Sequence, residues 1–262
     1  MRLVTFAERE AEDVRMLCRQ AQLATGDCVI DVGCGPLGAL STLSDVVGPT
    51  GAVIGIDSSP QALATASQLL RQLSLRNVRL VHADITAFDC DAAALRHTAH
   101  LAYCRLVLSH QRDPQAWLRR VLQLVRPGGH VAYQDVLHGV GPRCEPAVPA
   151  QDEAWRLILD LFARRGLATA VGFDHAILAR ACDCEVIHQR GKFAVLPASQ
   201  GFTIVQQLLT ASRAALSEVG TSEPARTDAL IESLEHAKLG SYRYWHGPLS
   251  VETLVRTPLQ PA

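Results

Sequence analysis

Several features are scarce in this chain of 262 residues. Lysine occurs only at Lys192 and Lys238, aromatic residues make up 5% of the sequence, and the formal net charge is −1. A nearly neutral chain without a basic stripe is not typical of nucleic-acid-binding proteins, so we predict no nucleic-acid partner. No run approaches the roughly 18 apolar residues of a membrane-spanning helix, so we predict no membrane partner.

The N-terminal segment and the cysteines also argue against whole classes of protein. The first twenty residues are amphipathic and lack an apolar segment followed by a cleavage site, so we expect no signal peptide and a cytoplasmic protein. The eight cysteines are scattered, and the closest pair, Cys182 and Cys184, has no second pair or histidine at zinc-site spacing. We therefore expect reduced thiols and no metal site.

The first half of the chain alternates apolar strands with amphipathic helices. Short apolar runs such as "CVIDVGCG", "AVIGIDSS" and "VRLVHADI" are separated by helical patterns at intervals of about 25 residues. This pattern predicts an α/β fold. We expect a doubly wound, Rossmann-like, mostly parallel seven-stranded sheet with helices on both faces. Ligands of such sheets bind at the carboxyl ends of the strands.

The second half follows a different pattern, although we expect a single domain over residues 1–262. Residues 1–136 would form the ligand-binding half, and residues 138–262 the remaining strands with a helical cap. The cap is predicted as an insertion at about residues 200–240, and "VETLVRT" as a last strand at the sheet edge. An exposed apolar face on the cap would favour a homodimer.

The stretch "DVGCGPLGAL" contains a G-x-G-x-x-G pattern at Gly33, Gly35 and Gly38. This pattern often binds a dinucleotide, whose pyrophosphate accepts hydrogen bonds from backbone N–H groups at the start of a helix. Here Pro36 follows the second glycine and has no N–H to donate. Asp31 adds a carboxylate that would repel a diphosphate but suits a cationic group. Both residues argue against NAD.

Carboxylates recur after three successive strands, at Asp31, Asp57 and Asp84. An acid after the second strand suits ribose hydroxyls, and one after the third suits a further donor such as an adenine amino group. A ligand with an ammonium, a ribose and an adenine but no phosphate is S-adenosylmethionine. The alternative is that the three acids only cap helices or turns.

The segments "VIDVGCGPLG", "VIGIDSSPQAL", "VRLVHADI", "YCRLVLSHQRDP" and "LVRPGGHVAYQD" occur in this order over about residues 25–136. Together they resemble the class I S-adenosylmethionine-dependent methyltransferases. The resemblance is to the branch of ubiquinone, menaquinone and other small-molecule methyltransferases. Beyond residue 140 it is only architectural.

The resemblance implies a set of cofactor-binding residues. In this set the glycine loop approaches the methionine part of the cofactor, Asp31 lies near its ammonium, and Asp57 accepts hydrogen bonds from both ribose hydroxyls. Ser58, Asp84 and Ile85 surround the adenine, and the backbone of Arg105 passes the sulfonium. The full set is Asp31, Gly33, Cys34, Gly35, Asp57, Ser58, Asp84, Ile85 and Arg105.

Methyl transfer needs an aligned nucleophile and, for a protonated acceptor, a general base. His110, at the mouth of the fourth strand, is the first candidate for that base, and His138, past the fifth strand, is the second. Each could instead hold a loop in place. Gln134 and Tyr242 are the predicted substrate-binding residues, although the aromatic stretch around Tyr242 is also typical of a packed strand.

The acceptor is predicted from what the sequence lacks and from its apolar composition. The fourth-strand motif has no N/D-P-P-Y/F signature of nucleic-acid amine methylation. We expect a small, fairly hydrophobic acceptor, such as a secondary metabolite or a quinone-like molecule. Two alternatives stay open: the same pocket used for cyclase or lyase chemistry, and a non-catalytic binding protein.

Overall fold

The computed structural model describes residues 2–36, 38–91, 93–241 and 244–259, with side chains from residue 11 onward. The described part contains eight α-helices, eight strands and a 3₁₀ turn at Leu108–His110. The helices are α1 (Arg2–Gln20), α2 (Leu40–Val47), α3 (Pro60–Gln72), α4 (Pro114–Leu122), α5 (Pro149–Arg164), α6 (Val171–Arg180), α7 (Ala198–Glu218) and α8 (Pro224–Ala237). The strands are β1 (Cys28–Val32), β2 (Ala52–Asp57), β3 (Val78–His82), β4 (Ala99–Arg105), β5 (Val125–Leu137), β6 (Arg143–Cys144), β7 (Glu185–Pro197) and β8 (Tyr244–Arg256).

The chain divides into two compact units. The first contains the described residues up to Asp135, Asp174–Arg190 and the described residues from Glu252 onward. Its strands run in the order β3-β2-β1-β4-β5-β8, and β1 to β5 pair in parallel. From β1 the chain first adds strands on one side, β2 and then β3, and afterwards on the other side, β4 and then β5. The doubly wound switch point therefore lies between β1 and β4. The predicted Rossmann-like α/β fold is confirmed.

The core of the first unit forms where helices cover this sheet. Val29 of β1 and Leu101 of β4 are fully buried and pack in one cluster with Leu17 of α1 and Leu40 and Leu43 of α2. Near-continuous apolar strands are expected when a parallel sheet is covered on both faces.

The second unit comprises Val136–Phe173 and Gly191–Val251. Helices α5, α7 and α8 pack together around a core that includes Ile158, Phe202 and Leu234. Strand β6 pairs antiparallel with the start of β8, where Cys144 lies opposite Trp245. Strands β5, β7 and β8 contribute residues to both units. The predicted insertion at 200–240 falls in α7 and α8, and the single-domain organisation stays a prediction.

Two details of the sequence prediction are wrong. The described strands number eight rather than seven, because the two-residue strand β6 joins the sheet. Strand β8 is not at the edge, since it neighbours β5, β6 and β7. Its residues 251–255 are all buried, as suits an inner strand. Strand β5 begins at Val125, and its ladder with β4 shifts register near Gly128, which has a positive φ of 70°.

No helix in the part of the chain that the structure describes is long and apolar enough to cross a membrane. All eight cysteines are free thiols, and Cys28 is the one that is only partly buried.

Candidate functional site

A small cavity lies at the carboxyl ends of β1 to β4 in the first unit. Its volume is about 80 Å³. It brings together five of the predicted cofactor residues, namely Gly33, Asp57, Ser58, Asp84 and Ile85. They meet because parallel strands end at the same edge of the sheet, so residues distant in sequence follow neighbouring strands.

Asp57, the last residue of β2, lines this cavity and has both carboxylate oxygens hydrogen-bonded to the backbone. Its Oδ2 accepts a hydrogen bond from the Gly35 N–H at 2.8 Å, and its Oδ1 accepts one from the Ser59 N–H at 2.8 Å. Ser59 in turn caps α3, where its hydroxyl accepts from the Ala62 N–H. Each carboxylate oxygen retains a second lone pair, so Asp57 can still accept hydrogen bonds from a ligand diol.

Gly33 and Gly35 in the loop after β1 both have a positive φ, 73° and 58°, but differ in what surrounds them. A Cβ at Gly33 would lie 2.4 Å from Val107 Cγ2. The close neighbour of Gly33 in the structure is therefore a protein side chain. A Cβ at Gly35 would meet no protein atom within 4 Å. Open space beside Gly35 is where a ligand could approach the backbone.

Cys34 contributes only its backbone to this loop. The residue is buried, and a Cβ on Gly55 of β2 would lie 2.9 Å from the Cys34 Sγ. Burial raises the pKa of the Cys34 thiol well above its ordinary range, so the thiol is inert.

Asp31 lies beneath the loop rather than on the wall of the cavity. Its side chain is buried, and its Oδ2 accepts a hydrogen bond from the Ala39 N–H at 3.3 Å. Burial raises the pKa of Asp31 to about 7, and the charge of Arg105 opposes this rise. A nearby cation would stabilise the ionised form of this buried carboxylate.

Asp84 lies two residues beyond β3 and is exposed. Its Oδ1 accepts hydrogen bonds from the backbone N–H and the hydroxyl of Thr86, at 2.9 and 2.8 Å. The Oδ1 of Asp84 therefore stabilises the turn at Thr86, as the alternative for these acids predicts. Ile85 is buried beside it and supplies an apolar wall.

Arg105 and Gln134 are opposite each other on β4 and β5. The Leu106 N–H donates to the Gln134 carbonyl at 2.8 Å, and Gln134 is buried. Neither Arg105 nor Gln134 lines the cavity. Leu106 has a φ of 57°, a left-handed conformation that is uncommon for a residue with a side chain. This turn directs the chain into the 3₁₀ turn at Leu108–His110.

The two candidate bases lie in different units. His110 ends the 3₁₀ turn and precedes Gln111, which lines the cavity. The residue is exposed as a whole, yet partial burial of its ring lowers the pKa of His110. His138, in the second unit, is buried between Trp155 and Phe162, with ring centroids 6.0 and 4.7 Å away. Tyr242 lies outside the described residues.

Sequence reasoning missed six lining residues: Val32, Ile56, Ala83, Val107, Gln111 and Trp117. Gln111 adjoins the predicted His110, so inspection of the whole turn would have found it. Trp117 lies on the buried face of α4, where its spacing indicates only core packing.

Asp135, the residue after Gln134, supports the same turn from within the sheet. Its Oδ1 accepts a hydrogen bond from the Ser109 N–H at 3.1 Å, and the residue is fully buried. Burial raises the pKa of Asp135 to about 6. His175 of α6 has its Nε2 4.0 Å from the other carboxylate oxygen, and burial lowers the pKa of His175 to about 3.

Comparison with known proteins agrees with this architecture. The profile of the family described as "Methyltransferase domain" matches residues 23–163, more than half of the chain. The chain therefore belongs to the methyltransferase-domain family. The resemblance predicted from the motifs after β1 to β5 is confirmed.

Individual relatives and one solved structure extend the comparison. The demethylmenaquinone methyltransferase of Lactococcus lactis is 24% identical over 155 residues, which cover 59% of this chain and 57% of that protein. The ubiquinone biosynthesis O-methyltransferase of Pseudomonas putida is 34% identical over 123 residues, 47% of this chain and 50% of that protein. The chain thus spans about half the length of these curated relatives. A putative methyltransferase from Bacillus halodurans has a similar fold, with a TM-score of 0.61, 16% identity, and coverage of 94% of this chain and 99% of that one.

Proposed function

We propose that the protein is an S-adenosylmethionine-dependent methyltransferase acting on a small acceptor. The observation that carries the proposal is the convergence of Asp57, Asp84 and the open face of Gly35 at the carboxyl ends of adjacent parallel strands. Membership of the methyltransferase-domain family supports the same activity.

The residues present fit this cofactor, which supplies a methyl group on a sulfonium centre. Asp57 would accept hydrogen bonds from the ribose hydroxyls through its remaining lone pairs. Asp31 would offset the positive charge of the ammonium, and a cation would in turn favour its ionised form. Ser58, Asp84 and Ile85 would hold the adenine, and Cys34 and Arg105 would contribute backbone atoms.

The cavity is smaller than the 300–1,000 Å³ of ordinary ligand pockets. One side of its wall is the short segment Val107–Gln111 between β4 and α4, which Asp135 anchors at Ser109. The cofactor needs more room than this wall leaves. We therefore expect this segment to shift when the cofactor binds.

His110 is the proposed general base. Because its pKa is lowered, the neutral imidazole predominates at neutral pH and can accept a proton from an acceptor hydroxyl. His138 is the second choice, although its aromatic contacts favour a packing role. Gln134 and Tyr242 stay the predicted substrate-binding residues.

The proposed acceptor is a small, fairly hydrophobic molecule such as a quinone-like compound or a secondary metabolite. Two relatives are named for menaquinone and ubiquinone methylation, which supports a quinone-like acceptor.

Release of S-adenosylhomocysteine tests the activity. The purified protein is incubated with S-adenosylmethionine and a panel of hydroxylated quinones and phenols, and the product is quantified by mass spectrometry. We expect acceptor-dependent release that a His110→Ala variant reduces by about 10²-fold. Binding of the cofactor without release for any acceptor would contradict methyl transfer and favour a cyclase, lyase or binding role.

A further inference from the structure

The second unit contains a groove that the cofactor site does not use. Its volume is about 970 Å³, at the upper end of the range for small-molecule pockets. The loop at 139–148 forms one side, and the first turns of α5 and the start of β8 form the other. Of the residues in "SYRYWHG", Tyr244 and His246 line the groove, while Trp245 is buried in the core.

A buried hydrogen-bond acceptor lies in the wall of this groove. Gln151 of α5 is only 1% exposed, and its Nε2 donates to the Pro142 carbonyl at 3.2 Å. A carbonyl can only accept, so this contact fixes the orientation of the amide. Within the described residues the Gln151 Oε1 has no hydrogen-bond donor. A buried acceptor left in this way is unfavourable, and a ligand O–H or N–H would satisfy it.

An aromatic wall lies beside this acceptor. Trp155 is one turn of α5 after Gln151, and its Nε1 donates to the His138 carbonyl at 2.8 Å, which holds the indole in place. A Cβ at Gly141 would lie 2.7 Å from Trp155 Cδ1, so the loop passes directly against the indole. A rigid aromatic side chain in a groove suits a planar, apolar ligand.

The rim of the groove carries a cationic edge. Arg143 of β6 is directly opposite His246 of β8, so their side chains share one face of the strand pair. Arg156 of α5 is also exposed on the lining, and in the described part of the chain neither arginine forms an ion pair. The opposing acids are Glu145 and Asp152, and Asp152 lies in the first turn of α5, where the helix dipole already offsets its charge.

We propose that this groove binds a planar aromatic carboxylate that also carries a hydroxyl or N–H donor. The ring packs on Trp155, the donor reaches the Gln151 Oε1, and the carboxylate lies at the edge formed by Arg143 and His246. Arginine is the side chain best suited to bind a carboxylate through two parallel hydrogen bonds. None of these residues belongs to the cofactor set, so the proposal does not rest on the cofactor site.

Three related fluorescent probes test the assignment on the full chain. The compound 6-hydroxy-2-naphthoate has a ring, a hydroxyl and a carboxylate, while 2-naphthoate lacks the hydroxyl and 2-naphthol lacks the carboxylate. We expect saturable binding of 6-hydroxy-2-naphthoate, with each of the other two about tenfold weaker. No saturable binding of 6-hydroxy-2-naphthoate up to about 1 mM would overturn the proposal.

Variants then assign each contact. Gln151→Met should lower the affinity for 6-hydroxy-2-naphthoate to that for 2-naphthoate and leave the affinity for 2-naphthoate unchanged. Arg143→Gln should lower the affinity for both carboxylates and leave the affinity for 2-naphthol unchanged. The position is exposed, so the change should not affect folding. Arg164→Gln, on the same helix but outside the groove, is the matched control. Unchanged probe preferences in both Gln151→Met and Arg143→Gln, with native thermal unfolding, would contradict the site.

Discussion

The two units treat their charged groups in opposite ways. The first unit buries Asp31, Asp135 and Glu252 almost completely. In the described residues of the second unit no carboxylate is buried, and its acids form surface ion pairs such as Arg213–Asp228. Burying a carboxylate is unfavourable unless something compensates it. The contrast indicates that the first unit bears the cost of buried acids, one of which, Asp135, anchors a turn, whereas the acids of the second unit stay nearer its surface.

The largest effect expected from this contrast is a pH dependence caused by Asp31. Its pKa in the folded protein is raised to about 7, so the protonated form stabilises the fold below about pH 4, and this contribution is lost as the pH rises through about 7. At 1.36 kcal/mol per pKa unit the loss is at most about 4 kcal/mol.

Asp31→Asn should remove this dependence, since the amide has the same shape and does not titrate. Urea unfolding of both proteins at about pH 4 and about pH 8 measures the difference, in which contributions common to both proteins, including those of Asp135 and His175, cancel. Equal pH dependence in the two proteins would show that Asp31 is not buried as described.

The next effect concerns the close contact between the loop after β1 and the turn after β4. Gly33→Ala should destabilise the fold by about 2 kcal/mol, because the new methyl would overlap Val107 at a left-handed φ. Gly33→Ala combined with Val107→Ala should recover part of the loss. Urea unfolding measures both, and no recovery in the double variant would assign the whole cost to the backbone.

A comparable effect is expected at the turn that carries His110. Asp135→Ala leaves the Ser109 N–H without an acceptor in a buried position, which should cost about 2 kcal/mol. Asp135→Asn keeps an oxygen for this contact and is the matched control. If the alanine variant were as stable as the wild type in urea, Asp135 would not anchor the turn.

The smallest effect is expected in the loop of the second unit. A Cβ at Gly139 would meet no atom within 4 Å, and its φ is not in the left-handed region. Gly139→Ala should therefore change the free energy of unfolding by less than about 0.5 kcal/mol. A loss as large as that of Gly33→Ala would remove this difference between the two loops.

How much the sequence predicts also differs between the units. Gly33, Asp57, Ser58, Asp84 and Ile85 could be placed together because parallel strands of regular spacing end at one edge, whatever the details of the connecting loops. The positions of Val107 and Gln111 could not be predicted, because they depend on the left-handed turn at Leu106. A leucine in the sequence does not indicate such a turn.

In the second unit the sequence predicts helices but little of how they are combined. The pairing of β6 with β8 joins segments about a hundred residues apart through only two residues, Arg143 and Cys144. Such a short strand has no period to detect. The groove therefore became visible only in the structure, although the aromatic stretch containing Tyr244 and His246 had drawn attention to one side of it.

Calorimetric titration with S-adenosylmethionine tests the central claim most directly. We expect binding in the micromolar range to the wild type and to Asp45→Ala, which changes an exposed acid outside the site. We expect the affinity of Asp57→Ala to be about 100-fold lower, because the ribose contacts and the support of Gly35 are lost together. None of the three proteins should bind NAD comparably. Equal affinity of the wild type and Asp57→Ala for S-adenosylmethionine, or tighter binding of NAD, would contradict the cofactor site.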